Sequence, residues 1–297
     1  MQVEKLLENG FIILDKWQGP TSRGVCETIR KILNLKKVGH SGTLDKNVSG
    51  VLLVTLENAC KVIPAIQGLD KEYVGVMHLH RDVSNEELEQ AIKKFIGEII
   101  QKPPVKSAVA RIERKRKIYS IEILDKVERD VLLQVRCEAG TYIRKLFDDI
   151  GKTLGVGAHM KELRRTKVGN FNESHAVKMQ DLAGAYRSWK EKQMNASKMR
   201  YPIRGNEEII EMVLPVERAV DHLKKIYVKD SALRSILNGS PLYTSGIEKS
   251  DKNIVKGNRV ALFSSNTLIA LARANMGSEE FSQRGLAAKT DRIIKRI

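Results

Sequence analysis

Three glycines within twelve residues, Gly39, Gly42 and Gly50, are the feature that most constrains how this chain can fold. Glycine lets a backbone turn tightly and approach a ligand closely. The residues between these glycines are mostly polar and include Asp45, and an apolar run begins at Val51. The segment therefore predicts a loop that presents a few polar side chains and is anchored to a core strand.

The polar residues of this loop leave its chemistry open. His40, Ser41 and Asp45 are the side-chain types of a hydrolase triad, but no Gly-x-Ser-x-Gly turn is present, and near neighbours in sequence cannot reach one another as a triad. A phosphate-binding P-loop is excluded because no Gly-Lys-Ser/Thr follows. Taken alone, Asp45 is equally typical of an ordinary turn.

Apolar spacing predicts helices and strands in irregular alternation. One helix begins at Ser84, which forms a capping box with Glu87; another follows Ser22, and a third carries Ile143 to Leu154 on one face. The order indicates an α+β fold with a mixed, largely antiparallel sheet and flanking helices. The predicted strands are 11–14, 51–55, 72–79, 118–124 and 131–137, of which the last two form an antiparallel hairpin.

The composition changes towards the C-terminus. Residues 187–210 are polar and without period, which predicts a linker. Beyond Pro215, short helices and short β runs are separated by glycines. We therefore expect two domains, a larger one at about 10–210 and a small β-rich one at about 225–297.

Charge and cysteine content narrow the functional class. The chain has 52 Lys and Arg against 36 Asp and Glu, a formal net charge of +16. Such an excess predicts a polyanionic partner such as nucleic acid, because cations that neutralise phosphates release counterions. The three cysteines are far apart, which predicts neither disulfides nor a metal site. No apolar stretch has the length of a signal peptide or a membrane span, so we expect a cytoplasmic protein with no membrane association.

Several motifs occur in a fixed order and together resemble one family. They are Leu14-Asp15-Lys16, Gly19-Pro20-Thr21-Ser22, the segment from Gly39 to Gly50, Lys71-Glu72-Tyr73, Gly140-Thr141-Tyr142-Ile143-Arg144, Gly155-Val156-Gly157-Ala158-His159-Met160 and Glu162-Leu163-Arg164-Arg165-Thr166. This series resembles the TruB/dyskerin family of pseudouridine synthases, in particular its archaeal dyskerin-like members from box H/ACA ribonucleoproteins. The resemblance covers nearly the whole chain from Gly10.

The resemblance implies three catalytic residues. Asp45 is similar to the family's nucleophile, and a carboxylate suits that role because it can add to a carbon centre and leave again. Tyr73 resembles the residue that stacks on the flipped uracil and moves a proton, although a core tyrosine is the ordinary fate of such a position. Arg144 resembles the partner that keeps Asp45 ionised; alternatively it is a solvated arginine. No cofactor is implied.

The same resemblance implies a pocket for the extruded base. Tyr142, Ile143 and Leu163 resemble its wall, although all three could be plain core residues. His40 resembles a histidine that helps turn out the target nucleotide, or it only forms a hydrogen bond within the loop.

Basic segments are similar to the family's RNA-binding parts. Residues 102–117 resemble a mobile thumb loop that closes over substrate RNA, although such a charge run is often only a solvated surface. The C-terminal part resembles a PUA domain, a small β-barrel that holds the guide RNA. The implied RNA-binding residues are Lys106, Arg111, Arg114, Lys115, Arg116, Arg164, Arg165, Gly239 and Gly246.

The sequence departs from the family pattern in places. Lys46 replaces a proline after Asp45, Trp17-Gln18 replaces a proline pair, and Arg23 stands where histidine is common. Only about ten residues precede the predicted catalytic domain, which puts the completeness of the PUA domain in doubt.

Together these features predict an RNA pseudouridine synthase guided by H/ACA RNA, acting on rRNA and possibly on tRNA. The expected partners are a guide RNA, substrate RNA, a small zinc-ribbon-like protein, a small β-barrel protein and a kink-turn-binding protein. Two alternatives stay open: a stand-alone synthase acting on the tRNA T-loop, and a non-catalytic RNA-binding scaffold.

Overall fold

The computed structural model describes residues 3–102, 112–196 and 208–294, which form two β-sheets with helices packed mainly on the larger one. The larger sheet has ten strands and the smaller has six. This confirms the α+β class, and all five predicted strands are present. Within the described ranges, no helix is long and apolar enough to cross a bilayer.

The larger sheet is almost entirely antiparallel. Its strands lie in the order β10-β1-β3-β8-β4-β7-β6-β5, with β2 beside β3 and β9 beside β8, and only the β3–β8 pair is parallel. The predicted hairpin is β6–β7. The strands are β1 Gly10–Lys16, β2 Val38–Ser41, β3 Val48–Leu56, β4 Lys71–Leu79, β5 Gly97–Gln101, β6 Arg114–Val127, β7 Asp130–Cys137, β8 Ala158–Val168, β9 Phe171–Asn172 and β10 Leu214–Pro215.

Local sequence determines where two of the helices beside the larger sheet begin. Ser84 and Glu87 form the predicted capping box, and the Thr21 side chain accepts a hydrogen bond from the Gly24 amide. The apolar faces of these helices pack against the larger sheet and form the main core. The helices are α1 Val3–Asn9, α2 Ser22–Ile32, α3 Ile63–Ile66, α4 Asn85–Lys93, α5 Ile143–Thr153, α6 Met179–Ala196 and α7 Glu208–Met212.

Helix α6 corrects the prediction of a linker from residue 187. The helix continues to Ala196 because Leu182, Ala185, Tyr186 and Trp189 recur at helical spacing and are buried against the core. The polar residues after position 186 therefore form the outer face of a helix. Of the rest of the predicted linker, residues 197–207 lie outside the described residues, and residues 208–210 belong to helix α7, which again corrects the prediction.

The smaller sheet curls back on itself. Its strand order is β12-β16-β15-β14-β11-β13, so its two outermost strands are β12 and β13, yet only residues 244–246 separate them in sequence. This short connection brings the two edges of the sheet close together, as expected for a small β-barrel. The elements are β11 Lys224–Val228, α8 Asp230–Leu237, β12 Leu242–Tyr243, β13 Ile247–Ser250, β14 Arg259–Ser264, β15 Thr267–Ala274 and β16 Leu286–Ile293.

The two sheets share a hydrophobic core. Phe11 and Leu53 of the larger sheet belong to the same buried cluster as Phe263 and Leu271 of the smaller one. Apolar area removed from water is the main favourable contribution to folding. The small sheet therefore stabilises the back of the strands β1 and β3.

A substitution in the small sheet should consequently destabilise the larger unit. Phe263→Ala removes a ring that is only 5 % exposed, and we expect the free energy of unfolding to fall by about 3–5 kcal/mol. Both tryptophans, Trp17 and Trp189, lie in the larger unit, so tryptophan fluorescence during urea unfolding reports on that unit. Val255→Ala, at an exposed valine of the small unit, is the control. An unchanged fluorescence midpoint in Phe263→Ala would show that the shared core does not couple the two units.

Candidate active site

A buried lysine anchors the loop that carries Asp45. Lys16, at the end of β1, is fully buried, and its ammonium donates to the backbone carbonyl oxygens of Val48 at 2.8 Å, Trp17 at 3.0 Å and Asp45 at 3.2 Å. Burial, and secondarily the charge of Arg165, lowers the pKa of Lys16. One ammonium thus holds both ends of the turn that contains Asp45.

Ser22 supplies a second anchor. Its buried hydroxyl accepts a hydrogen bond from the Leu44 amide at 2.9 Å and donates to the Leu44 carbonyl at 3.1 Å. Leu44 itself is buried, and the Gly19 amide donates to the Lys46 carbonyl at 2.8 Å. The loop backbone is therefore held on both sides of Asp45, whose side chain is left free to point outwards.

Asp45 forms an ion pair with Arg144, as the family resemblance implied. The Nη2 atom of Arg144 contacts the Oδ2 atom of Asp45, and both side chains are 54 % exposed. Arg144 lies in the first turn of α5, where a cation is opposed by the helix dipole. The pairing gives the arginine a reason to occupy that position, and it leaves the carboxylate accessible from solvent.

Arg165 corrects the sequence interpretation. It was expected on an RNA-binding surface, but its side chain is 1 % exposed and its Nε atom donates to the Val51 carbonyl at 2.8 Å. The backbones of β3 and β8 approach each other closely at this point. A Cβ at Gly50 (φ +102°) would overlap the Arg165 carbonyl, so the position requires glycine. A clue was present in the sequence, since residues two apart on a strand share a face and Leu163 was already expected to be buried.

Tyr73 lies on β4 at the edge of the main core. It is partly buried, and its nearest strand neighbours are Val135 of β7 and Arg165 of β8. Burial raises the pKa of the Tyr73 hydroxyl, and the charge of Arg165 opposes that rise. The net shift is upward, so the hydroxyl is protonated at neutral pH and can act as a proton donor.

Two further basic side chains border the loop. Burial, followed by the charge of Arg165, lowers the pKa of His40, and its Nδ1 atom has no hydrogen-bond partner in the structure. Lys71 is buried and donates to the Gln67 carbonyl at 2.8 Å. Its burial lowers the pKa of Lys71 to about 8. Both side chains are therefore less basic than in water, His40 being neutral at pH 7.

The proposed pocket wall is partly core. Ile143 and Leu163 are 3 % and 6 % exposed and belong to the same cluster as Tyr73. Tyr142 is only half-buried, and its backbone is held by the buried amide of Gln101, which accepts from the Tyr142 N–H at 2.9 Å. Tyr142 is therefore the most accessible of the three predicted wall residues.

A basic cavity adjoins Tyr142. Its volume is about 400 Å³. Arg116 is half-buried beside Gly140, and its Nε atom has no hydrogen-bond partner among the residues that the structure describes. Guanidinium groups facing an open cavity suit the binding of a phosphate. The cavity is lined by Pro64, Gln67, Gly68, Gln101, Arg114, Arg116, Ala139, Gly140 and Tyr142.

The other predicted RNA-binding residues have different surroundings. Lys106 and Arg111 lie outside the described residues. Lys115 is exposed but pairs with Glu98 at 2.7 Å. Arg164 pairs with Asp15 at 2.9 Å and with Glu173 at 2.7 Å, so carboxylates already compensate its charge.

The two predicted glycines of the small unit have structural roles. Gly239 (φ +93°) follows α8, where it ends the helix in a left-handed conformation, and no neighbour crowds it. Gly246 is buried, and a Cβ there would lie 2.8 Å from the Cβ of Ala232. Gly246 is thus required by packing under α8.

Sequence reasoning did not assign Lys16, Ser22, Lys71 or Gln101 to the site. The signal for Lys16 was a lysine at the end of a strand whose other residues, apart from Asp15, are not charged. For metal binding, the ranges that the structure describes hold no group of three or more His, Cys, Asp or Glu side chains placed to bind an ion.

Family models match almost the whole chain. Residues 30–143 match the TruB family pseudouridylate synthase N-terminal domain, residues 144–221 match the tRNA pseudouridylate synthase B C-terminal domain, and residues 224–294 match the PUA domain. Among curated relatives, the probable tRNA pseudouridine synthase B of Methanocaldococcus jannaschii is 46 % identical over 98 % of this chain and 84 % of its own length. The protein of the same name from Korarchaeum cryptofilum is 48 % identical over 97 % of this chain and 86 % of its own length.

Solved structures give the same result. A chain of a Cbf5–Nop10–Gar1 complex superposes with a TM-score of 0.91 at 44 % identity, over 100 % of this chain and 88 % of that one. A chain of an H/ACA ribonucleoprotein bound to a substrate RNA containing 2′-deoxyuridine has a TM-score of 0.88 at 42 % identity, over 99 % of this chain and 88 % of that one.

The anchoring by Lys16 can be tested directly. Lys16→Met keeps the apolar stem but leaves buried carbonyl oxygens without a donor, which costs about 1–3 kcal/mol for each unsatisfied group. We expect lower stability and faster amide exchange at residues 42–48, measured by hydrogen–deuterium exchange with mass spectrometry. Lys46→Met, at an exposed lysine of the same loop, is the matched control. If both variants exchange like the wild type, the ammonium does not hold the loop.

Proposed function

This chain belongs to the TruB family of pseudouridine synthases, and we propose that it isomerises guide-selected uridines in RNA with Asp45 as the nucleophile. The enzyme class is that of its family: it converts uridine to pseudouridine. The observation that carries the assignment of Asp45 is its accessible carboxylate, ion-paired with Arg144 on a loop held by buried Lys16. The division into a catalytic domain at 10–210 and an RNA-binding domain at 225–297 is part of the same proposal.

The chemistry needs few groups. The bond between N1 of uracil and C1′ of ribose breaks, and C1′ rejoins the base at C5. Arg144 keeps the attacking carboxylate of Asp45 ionised, because an adjacent opposite charge favours the charged form. The protonated hydroxyl of Tyr73 supplies a proton donor beside the base. No redox or group-carrying cofactor is required for this isomerisation.

The target base must leave its stack to reach Asp45. We propose that it enters beside Tyr73 and Tyr142, with Ile143 and Leu163 behind them, and that neutral His40 helps to turn it out. An apolar wall suits an uncharged base, whereas the negatively charged phosphates of the flanking RNA backbone need cations.

The basic cavity meets that second need. Arg114 and Arg116 line it next to Tyr142, and we place a phosphate of the RNA strand there. We also assign RNA binding to Lys106 and Arg111 of the basic segment 102–117, which the sequence likened to a thumb loop. Arg164 contributes less, because Asp15 and Glu173 already pair with it.

Guide dependence rests on the matched structures. One of them is an H/ACA ribonucleoprotein bound to substrate RNA, and another contains Nop10 and Gar1. We propose that this chain assembles likewise with an H/ACA guide RNA and with small zinc-ribbon-like, β-barrel and kink-turn-binding proteins. The three cysteines are free and buried, which fits a reducing compartment, and we place the protein in the cytoplasm.

One observation favours a second function. The curated relatives are named probable tRNA pseudouridine synthase B, which suits a stand-alone enzyme acting on tRNA without a guide. The two functions differ in one requirement, namely whether turnover needs the guide RNA.

Asp45→Asn tests the catalytic assignment. The amide keeps the shape of the side chain but cannot act as the anionic nucleophile, so pseudouridine formation should vanish while RNA affinity changes by less than about threefold. Tritium release from C5-labelled uridine measures turnover, and filter binding measures affinity. Asp291→Asn, at an exposed aspartate of the small unit, should retain full activity. A comparable rate in Asp45→Asn would assign the nucleophile to another group.

Charge reversal on α8 tests guide binding without disturbing the shared core. Lys229 lies beside Gly246 and Arg234 is exposed on the helix that leads to Gly239. Lys229→Glu with Arg234→Glu should weaken guide binding by at least about tenfold and make its salt dependence shallower, by about 0.7–0.9 in slope for each lost phosphate contact. The single-turnover rate at saturating RNA should stay unchanged.

The matched control makes the same change in net charge elsewhere. Lys252→Glu with Lys256→Glu alters two exposed lysines between β13 and β14. If both pairs weaken guide binding equally, the effect is non-specific electrostatics. Full activity on tRNA without a guide would support the stand-alone enzyme instead.

A further inference from the structure

Arg165 occupies the centre of the region that joins Asp45 to Tyr73. Its strand, β8, lies between β3 and β4. Arg165 is the cross-strand neighbour of Gly50 on β3 and of Tyr73 on β4. Its neighbours are therefore a residue of the strand that leaves the Asp45 loop on one side and the tyrosine itself on the other.

Its guanidinium contacts three separate elements. The Nε atom donates to the Val51 carbonyl at 2.8 Å and an Nη atom donates to the Gly42 carbonyl at 3.2 Å. The third element is β4, where Tyr73 is the direct cross-strand neighbour of Arg165, and the charge of Arg165 opposes the rise in the pKa of the Tyr73 hydroxyl. A guanidinium has five N–H donors in a rigid planar fork, whereas a lysine ammonium is a single point of charge. The two hydrogen bonds hold the guanidinium between the start of the Asp45 loop and the strand that carries Tyr73.

The charge of Arg165 is not neutralised by an acid in the part of the chain that the structure describes. Each ion pair found there joins other residues, in contrast to Arg164, which pairs with Asp15 and Glu173. Carbonyl dipoles solvate the buried guanidinium instead. A negative charge that develops on the Tyr73 oxygen would therefore lie beside an uncompensated cation on the neighbouring strand, where the low local polarity strengthens the attraction.

The proposed reaction creates such a charge. Between uridine and pseudouridine, one proton leaves C5 and one proton is gained by N1, so the base loses and regains a single proton in total. A hydroxyl that lends its proton to N1 becomes a phenolate, and it returns to a phenol when it takes the proton from C5. The number of protons and electrons is then the same before and after.

We propose that Arg165 is a positioning residue of this reaction, which orients the Tyr73 hydroxyl towards the base and stabilises its transient phenolate. The inference rests on the proposed function of Tyr73 and adds to it the group through which the tyrosine acts. It replaces the surface role that the sequence suggested for Arg165.

Arg165→Lys tests the proposal in the full-length protein with its guide and substrate RNA. The positive charge is kept but the fork is lost, so the single-turnover rate at saturating RNA should fall by about tenfold to a hundredfold, with RNA affinity unchanged. Arg129→Lys, at an exposed arginine between β6 and β7 that pairs with Asp82, is the matched control and should retain the wild-type rate. A wild-type rate in Arg165→Lys overturns the proposal.

The titration of Tyr73 separates this role from a purely structural one. With ¹³Cζ-labelled tyrosine, the pKa of Tyr73 should be higher in Arg165→Lys than in the wild type, because the planar guanidinium that favours the phenolate has been replaced. An unchanged titration, or a loss confined to melting temperature and RNA affinity, contradicts the proposal.

A second variant covers the case in which Arg165→Lys does not fold. Tyr73→Phe keeps the ring and removes only the hydroxyl, so exchange of the Arg165 guanidinium protons, followed by ¹⁵N NMR, should become faster. Unchanged exchange overturns the contact. If wild-type protein forms no pseudouridine, the proposed function fails, whereas the NMR measurements still decide whether Arg165 and Tyr73 interact.

Discussion

The need to solvate buried backbone carbonyls governs the active site of this enzyme. The turn that carries Asp45 directs several carbonyl oxygens inwards, and a buried carbonyl without a donor is costly. Lys16 satisfies this need on one side of the turn and Arg165 on the other, at Gly42. The cost of burying two cations is offset because each replaces water with several oriented carbonyl dipoles. The loop is held by its backbone, and the side chain of Asp45 takes no part in holding it.

The small sheet supports the active site from a longer distance. Strands β1 and β3, which supply Lys16 and lead away from the loop, have apolar residues on both faces, and the small sheet covers one of those faces through Phe263 and Leu271. The unit proposed to bind guide RNA is thus also part of the support of the active site. One hydrophobic core therefore supports both the proposed RNA-binding unit and the strands that hold the Asp45 loop.

Local signals in the sequence predicted much of the fold and only part of the site. The capping box at Ser84 and the helical spacing from Ile143 act within a few residues, and both helices are present. The lysine and arginine anchors depend on strands distant in sequence: β8 meets β3 and β4 only in the folded sheet. Arg164 and Arg165 are the same residue type in adjacent positions, and the alternation of the strand leaves one partly exposed and the other buried.

The arginines near Asp45 thereby divide into two kinds. Arg165 is buried and bound to the framework, whereas Arg144 and Asp45 each keep about half of their side-chain surface in water. An exposed ion pair is weak, because water screens it. When a flipped base enters beside Tyr73, it displaces that water, and the interaction of Arg144 with the carboxylate becomes stronger in the less polar surroundings. In the proposed reaction the substrate therefore completes the active site, so that the ion pair between Arg144 and the nucleophile reaches its full strength only when RNA is bound.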